Sequence, residues 1–233
     1  MKITPAQDFN RSTLEALLSA IPFYKAVKAA DEAQFELLLR HSKVIYCDPG
    51  SVLLSKGDIA RSLYFLIKGQ LSVYSGSETS DEYFLNHITP GEVFGDVAML
   101  LNQSRNATIL AGGGSRGVVV FSTEFSAFGP LEDCSLLSLE SKLLFYRNTV
   151  LSLRWKLEVY STSHPESPAA GQQRKVKLYT GEKNTLEELK ALHVEGVALA
   201  KLLQAWNEEA SSSELPALDK GGVDIAPGVA AQF

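Results

Sequence analysis

The chain has 233 residues, of which 45% are hydrophobic and 21% are charged, as in an ordinary globular protein. Its net charge of −5 at pH 7 argues against broad, sequence-independent binding to nucleic acid or to an anionic membrane, because both need a basic surface. Its two cysteines, Cys47 and Cys134, lie far apart and in no metal-ligand spacing, so neither a disulfide framework nor a zinc site is predicted.

Neither a leader peptide nor a membrane span is predicted. The N-terminal residues lack the long apolar stretch of a signal peptide, and nowhere do about 18 apolar residues follow one another. We therefore expect a cytoplasmic protein that makes no contact with membranes.

The N-terminal part, residues 12–42, is predicted to be helical. Ser12 and Glu15 have the spacing of a capping box at its start. Pro22 predicts a break that divides the segment into two helices. The apolar residues that recur at three- and four-residue intervals are Leu14, Leu17, Leu18, Ile21, Phe23, Phe35, Leu38 and Leu39.

A β-rich part follows from Lys43. Short runs of strand-forming residues alternate with glycine-bearing turns at the spacing of a sandwich or barrel. No two runs are separated by a stretch long enough for a crossover helix, so we expect antiparallel strands. The runs are VIYCDPGSVLLSKGD, SLYFLIKGQLSVYSG, DEYFLNHITPGEVFG, NATILAGG and GVVVFSTEF.

A long helix is predicted at residues 136–160, where apolar residues follow a 3-4-3-4 spacing over more than three heptads. Two interpretations stay open: this seam pairs with a second copy to form a homodimer, or it packs on the strands. A second apolar row at Leu137, Leu144 and Leu151 favours the second interpretation for part of the helix. The seam consists of Leu136, Leu139, Leu143, Tyr146, Val150, Leu153, Leu157 and Tyr160.

The C-terminal part is predicted to hold a polar, proline-bearing linker at 161–184, an accessory helix at 185–210 and a disordered tail at 211–233. Thr185 and Glu188 form a capping box for the helix, whose apolar face either folds back on its own chain or docks on a partner. Residues 161–233 carry seven Lys or Arg and ten Asp or Glu, hence 7 − 10 = −3. With no second helix after a short turn, no helix-turn-helix and no DNA partner are expected.

The stretch PGEVFGDVAMLLNQSRNAT, residues 90–108, carries the clearest chemistry. Gly91 and Gly95 permit tight turns, and a short helix after Gly95 would present N–H groups that have no internal partner. Arg105 could return to the same place and bind phosphate oxygens, while Asp96 would suit a hydroxyl group. The spacing alone leaves an alternative open, in which Asp96 is a helix N-cap that pairs with a nearby arginine.

This stretch resembles the phosphate-binding cassette of the cyclic nucleotide-binding domain family, which includes catabolite activator protein, regulatory subunits of protein kinase A and cyclic-nucleotide-gated channels. The family pattern is F-G-E-hydrophobic-A-L, a short polar loop, and then R-(A/S/T)-A. The resemblance extends over about residues 12–160, because the helices, early strands and glycine turns also fit. The matching residues are Phe94, Gly95, Asp96, Val97, Ala98 and Met99, followed by Arg105, Asn106 and Ala107.

The resemblance implies a mainly β fold: an antiparallel, jelly-roll-like β-roll with N-terminal helices and a long C-terminal helix. It also implies that the backbone of 95–98 and Arg105 hold a cyclic phosphate, and that Asp96 takes the ribose hydroxyl. The 136–160 helix would be the lid, with Thr149 or Ser152 as candidates for contact with the base. Asp96 replaces the usual glutamate and Asn106 replaces a small residue, so cAMP is the first choice of ligand and cGMP stays open.

No catalytic residues, metal site or cofactor are predicted, because the four histidines are scattered and no general base accompanies the arginine. The domain prediction is a cyclic nucleotide-binding domain at 1–160, followed by the linker, accessory helix and tail. The predicted function is a cytosolic cyclic-nucleotide sensor, not an enzyme, that acts on an unknown protein effector. Two alternatives are a degenerate scaffold of the same fold that binds no nucleotide, and a divergent transcription factor.

Overall fold

The structure, a computed structural model, describes residues 1–77, 79–80, 83–113 and 117–212. The predicted tail therefore lies, from residue 213 onward, outside the described residues. The helices are α1 Arg11–Leu18, α2 Pro22–Ala30, α3 Glu32–Arg40, α4 Asp96–Leu101, α5 Leu139–Ser163 and α6 Leu186–Ser212. None of the helices within these ranges is long and apolar enough to cross a membrane.

The strands are β1 Lys2–Pro5, β2 Ser42–Cys47, β3 Val52–Leu54, β4 Ser62–Lys68, β5 Leu71–Tyr74, β6 Phe84–Ile88, β7 Val93–Phe94, β8 Thr108–Ala111 and β9 Val118–Glu124. They form a five-stranded sheet, β1-β2-β9-β4-β7, and a four-stranded sheet, β3-β8-β5-β6. Neighbouring strands pair antiparallel throughout. The predicted antiparallel β-roll with flanking helices is confirmed.

Two apolar cores meet at the stretch around α4. One core fills the inside of the roll and includes Leu71, Ile88 and Phe94. The other lies between the helices and the outer side of the larger sheet, and it includes Val97 and Leu100. The chain therefore passes from one core to the other within a few residues, which couples the inside of the roll to the helices.

The N-terminal helices differ in detail from the prediction. Residues 11–40 form three helices, and α1 begins at Arg11 rather than after a Ser12 cap. Asn10 is the N-cap, and its Oδ1 accepts a hydrogen bond from the amide of Thr13 at 3.1 Å. Asparagine caps as well as serine, so the earlier capping residue takes the position. Pro22 stands at the first turn of α2, where its missing N–H costs nothing.

Helices α5 and α6 pack side by side and run in the same direction. Arg147 binds Glu188 at 2.6 Å, and Arg154 binds Glu195 at 2.7 Å. From the first ion pair to the second, the residue number rises by seven on both helices, so the helices are parallel. Both carboxylates are almost fully buried. Burial opposes ionisation of Glu188, but its hydrogen bonds with Arg147 and the Asn184 amide prevail and hold its pKa below the usual value.

The apolar seam of α5 is covered by α6 of the same chain. The seam is buried without a second copy, which favours the interpretation that it packs within the chain, and the homodimer through residues 136–160 stays a prediction. The predicted apolar face of α6 docks on its own chain, which is one of the two interpretations that the sequence left open. The buried residues are Leu143, Tyr146, Val150, Leu153, Leu157 and Tyr160 on α5, with Leu189, Leu192, Leu199, Leu203 and Trp206 on α6. Helix α5 begins at Leu139, after a Ser138 cap, so Leu136 and Leu137 precede it.

The predicted linker is a packed return segment, residues 164–185, rather than a free tether. Ser167 and Gln173 are buried, and Arg154 donates to the carbonyl oxygens of Gln173 and Val176 at 2.8 and 3.0 Å. Because α5 and α6 are parallel, the segment between them must return from the end of α5 to the level at which α6 begins. The polar residues of this segment serve to satisfy its backbone at the helix surface.

The turn before α5 is held by Lys142, which is 1% exposed. Its ammonium donates to the carbonyl oxygens of Pro130, Leu131 and Asp133. We expect Lys142→Ala to lower the free energy of unfolding, measured in urea, by about 2–3 kcal/mol, since hydrogen bonds to a charged group are lost at a buried site.

The control is Lys190→Ala, since Lys190 binds Glu132 on the same turn with half-exposed side chains at 2.9 Å. It should cost less than about 0.5 kcal/mol. Equal losses in the two variants would show that the buried contacts of Lys142 do not stabilise the turn.

Candidate functional site

The residues singled out in the sequence form one loop and a short helix, residues 94–107, which we call the cassette. Strand β7 ends at Gly95, which has a φ of 79°, and α4 follows directly. Asn102 ends α4 with a φ of 49°, a left-handed conformation that asparagine tolerates better than most residues. The N-cap is thus Gly95, and Asp96 is the first helical residue rather than the cap.

Arg105 is buried under the turn that Gly95 makes. Its Nη1 donates to the Gly95 carbonyl oxygen at 3.1 Å, and its Nη2 donates to the Ser62 carbonyl oxygen at 2.6 Å. The ring of Tyr64 lies 5.2 Å from the guanidinium carbon. Arg105 is only 5% exposed, and burial lowers the pKa of its guanidinium.

Asp96 lies close enough to act on the charge of Arg105, but no ion pair forms between them in the described part of the chain. The side chain is 2% exposed, and its Oδ2 has no hydrogen-bond partner among the described residues. A buried carboxylate oxygen without a donor is costly. The alternative of a capping aspartate paired with a nearby arginine is therefore not what the structure shows.

The other predicted residues complete the same loop. Helix α4 offers its first N–H groups without internal acceptors, and Gly95 gives them no side-chain cap. Phe94, Val97, Ala98 and Ala107 are buried, whereas Asn106 is half-buried. All eight predicted site residues thus meet in one place, with the amides and Arg105 as positive groups beside one carboxylate.

A polar cavity of about 220 Å³ opens between the end of the cassette and α6. Its other walls include residues that were not predicted from the sequence to lie at the site. Gln204, Asn207 and Glu208 are spaced i, i+3, i+4 on α6, a polar row that could have been recognised beside the apolar face. The lining residues are Lys56, Gly57, Ser75, Gln103, Ser104, Arg105, Asn106, Gln204, Asn207 and Glu208.

The helix that lies on the cassette is α6, not α5 as the resemblance implied. A Cβ on Gly196 of α6 would lie 3.4 Å from Leu100, so the two helices approach closely there. Thr149 is buried in the helical core, and neither it nor Ser152 lines the cavity. Helix α5 reaches the cassette region through Lys156, which donates to the Val93 carbonyl oxygen at 2.9 Å.

Gly95 is required twice, for its positive φ and for space, since a Cβ there would lie 2.6 Å from Nη1 of Arg105. We expect Gly95→Ala to lower the free energy of unfolding by about 2–4 kcal/mol, from left-handed strain plus displaced Arg105 contacts. Gly50 has nearly the same φ, 78°, with nothing within 4 Å, so Gly50→Ala should cost only the strain, about 1–2 kcal/mol. If urea unfolding gave the same loss of free energy for Gly95→Ala and Gly50→Ala, the close approach of Arg105 to Gly95 would be ruled out.

Within the described ranges, no group of three or more His, Cys, Asp or Glu is placed to hold a metal ion. The site therefore consists of main-chain amides, a buried guanidinium and a carboxylate with an unused oxygen. Such a set suits a ligand that carries an anionic group beside a hydroxyl.

Parts of the chain are similar in sequence to known proteins. It is 27% identical over 124 residues to a cAMP-dependent protein kinase regulatory subunit of Blastocladiella emersonii, which covers 53% of this chain and 30% of that protein. It is 29% identical over 105 residues to cyclic nucleotide-gated channel beta-3 of Canis lupus familiaris, covering 43% of this chain and 13% of that one. The chain thus spans less than a third of the length of the curated relatives it matches.

Among solved structures, the regulatory domain of Toxoplasma gondii PKA with cAMP is 16% identical, with a TM-score of 0.44 over 59% of this chain and 49% of that one. The sequence model of the cyclic nucleotide-binding domain family matches residues 44–128, which include the whole cassette. Residues 44–128 therefore match the cyclic nucleotide-binding domain family.

Proposed function

We propose that this chain is a cytoplasmic, non-catalytic sensor that binds a cyclic nucleotide in the cassette, cAMP in preference to cGMP, and signals to a protein partner. The observation that carries the proposal is the buried guanidinium of Arg105, to which no carboxylate of the described residues comes within 4.0 Å. A buried charge without a counter-ion is unfavourable, so an incoming phosphate would supply what the site lacks.

The geometry supports a role for each group. Arg105 can turn its fork toward two phosphate oxygens, and the amides at the start of α4 point their positive ends at the same anion. Asp96 Oδ2, which lacks a donor, is suited to accept a hydrogen bond from the ribose 2′-hydroxyl. Phe94 anchors this arrangement in the core of the roll, and Asn106 stands at the rim.

The proposed response passes through α6. The cavity of about 220 Å³ is lined by Arg105 and Asn106 but by none of residues 94–98, and it is smaller than the roughly 300–1,000 Å³ typical of small-molecule pockets. A nucleotide that contacts both parts of the cassette would therefore require the cavity walls to shift. Because Gln204, Asn207 and Glu208 form one wall, α6 is the element that would move. Ligand affinity must then differ between the two positions of α6 for the helix to report binding.

The domain organisation follows from this proposal. Residues 1–160 form the nucleotide-binding unit, and α6 is its accessory helix. Leu151 and Trp155 on the outer side of α5 are 66% and 48% exposed, which supports contact with a protein partner.

The scaffold alternative has a specific observation in its favour. The donors of Arg105 are engaged by Gly95 and Ser62, so the fold is satisfied locally without a ligand. No observation favours the transcription-factor alternative, because the apolar face of α6 is buried against α5 and is not available to form a DNA-binding unit.

Isothermal titration of the full chain with cAMP, cGMP and non-cyclic 5′-AMP tests the proposal. We expect saturable binding of cAMP, weaker binding of cGMP and no comparable binding of 5′-AMP. A folded chain that binds neither cyclic nucleotide would support the scaffold function instead.

A further inference from the structure

Helix α5 carries two large apolar side chains on its outer side, away from the seam that α6 covers. Leu151 and Trp155 are both exposed, and they lie one helical turn apart. Among the described residues, Trp155 contacts no other aromatic ring, and its indole N–H has no hydrogen-bond acceptor. A tryptophan that combines apolar area with a free donor is the type of side chain that anchors protein interfaces.

The return segment lies beside the same side of α5. Leu151 and Arg154 are three residues apart and therefore share one face of the helix. Arg154 donates to the carbonyl oxygens of Gln173 and Val176 at 2.8 and 3.0 Å. Residues 173–176 are thus held against the helix next to the face on which Leu151 lies.

The return segment adds one apolar and two charged side chains to this area. Leu178, two residues beyond Val176, is 59% exposed. Lys175 and Lys177 are exposed, and neither has a carboxylate within 4.0 Å in the part of the chain that the structure describes. We call the whole area the α5 surface, which consists of Leu151, Trp155 and Leu178 with Lys175 and Lys177 along one edge.

The charges of the α5 surface favour an acidic partner. Glu158, on the next turn of α5, is bound by Arg174, so it does not neutralise the two lysines. Carboxylates at the rim of a partner would meet these lysines, while apolar side chains at its centre would cover Leu151 and Trp155. An anionic membrane fits less well, because the surface offers only three apolar side chains and the chain has a net charge of −5.

The backbone of α5 limits the form that this partner can take. The N–H and C=O groups in the middle of a helix are bonded within it, so α5 offers only side chains here. A partner in strand form needs an open sheet edge for its own backbone groups, whereas an amphipathic helix needs only a row of side chains. The four-residue spacing of Leu151 and Trp155 matches the apolar spacing of such a helix.

We propose that the α5 surface is the docking site for an acidic amphipathic helix of a partner protein. The inference rests on the proposed function for the existence of a protein partner, but it does not require nucleotide binding. Arg154 also joins this surface to Glu195 of α6, the helix that lines the cavity.

The test titrates the full chain with two peptides of about 18 residues, long enough to form a helix. Both carry leucine along one helical face, and the other face carries glutamate in one peptide and lysine in the other. By calorimetry, we expect the glutamate peptide to bind about tenfold more tightly or better, with a difference that shrinks as salt is added. The emission of Trp155 should shift to shorter wavelength, because the indole leaves water on binding.

A pair of variants tests the apolar part of the surface. Trp155→Ala should weaken binding of the glutamate peptide about tenfold or more, because it removes the central anchor. Ile59→Ala, at another apolar side chain that is exposed, should leave the affinity unchanged. Both side chains are exposed, so urea unfolding should give nearly the wild-type stability in each variant.

A second pair tests the charges. Lys175→Glu combined with Lys177→Glu should reverse the preference, so that the lysine peptide binds more tightly than the glutamate peptide. Lys25→Glu combined with Lys68→Glu changes the net charge by the same amount at exposed lysines on α2 and β4. This control should keep the preference for the glutamate peptide.

The outcomes distinguish this inference from the proposed function. Binding of neither peptide, equal binding of both, or an unchanged affinity in Trp155→Ala would overturn the α5 surface as a docking site. So would self-association through Trp155 in sedimentation, or binding to phosphatidylserine vesicles in place of the peptide. If the folded chain binds the glutamate peptide but neither cAMP nor cGMP, the nucleotide part of the proposed function fails and this inference stands.

Discussion

Arg105→Ala is expected to remove most of the thermal stabilisation that cAMP gives to the wild-type chain. At a ligand concentration of about 100 times Kd, a native-state ligand stabilises by about 2.7 kcal/mol. Loss of charge-assisted contacts to phosphate costs about 1.5–3 kcal/mol, which weakens binding roughly 10- to 150-fold. A 100-fold weaker Kd would leave only about 0.4 kcal/mol at the same concentration.

The measurement is the shift in melting temperature on adding cAMP, taken within each variant, because Arg105→Ala also removes the donors to Gly95 and Ser62. Arg61→Ala, an exposed arginine next to Ser62, should retain the full shift. Arg105→Lys keeps the charge but loses the planar fork, so its shift should be intermediate. A full shift in Arg105→Ala would remove Arg105 from the site.

Arg154→Ala is expected to lower the free energy of unfolding by about 3–5 kcal/mol, as for other buried ion pairs broken on one side. The change would leave Glu195, which is 3% exposed, without its partner, and it would free the carbonyls of Gln173 and Val176. Helix α6 and the return segment would loosen together, because Arg154 contacts both of them. Urea unfolding followed by circular dichroism measures the loss.

The double variant Arg154→Met with Glu195→Leu separates charge from packing. Replacing both partners by apolar groups removes the unpaired charge, so it should recover most of the loss. Arg174→Ala, which breaks the exposed pair with Glu158, should change the stability little. A small loss in Arg154→Ala would show that apolar packing alone docks α6.

The cassette could be predicted largely from sequence because its geometry is local. Gly95 and Asn102 adopt the positive φ values that their residue types favour, and the short helix lies between them. The environment of Arg105 could not be predicted, because Ser62 and Tyr64 reach it from a strand some forty residues earlier. Strand β1 was not predicted either, since the short run Lys2–Pro5 has no marked alternation and gains its structure by pairing with β2.

The position of α6 shows what an apolar pattern leaves open. The seam of α5 signals that a helix must cover it, but it does not say whether that helix belongs to a second copy or to the same chain. The matched seven-residue spacings of Arg147 and Arg154 with Glu188 and Glu195 carried the missing information. The composition of residues 164–185 led to the wrong prediction of a linker. Small polar residues usually indicate a linker, but here the segment is packed because Arg154 binds its carbonyl oxygens.

A crystal structure of the chain grown with cAMP tests the central claim most directly. We predict that the guanidinium of Arg105 will lie within hydrogen-bond distance of the cyclic phosphate, with Asp96 Oδ2 accepting from the ribose 2′-hydroxyl. A structure in which Arg105 still donates to Gly95 and Ser62, while the nucleotide is absent from the cassette or bound elsewhere, would contradict it.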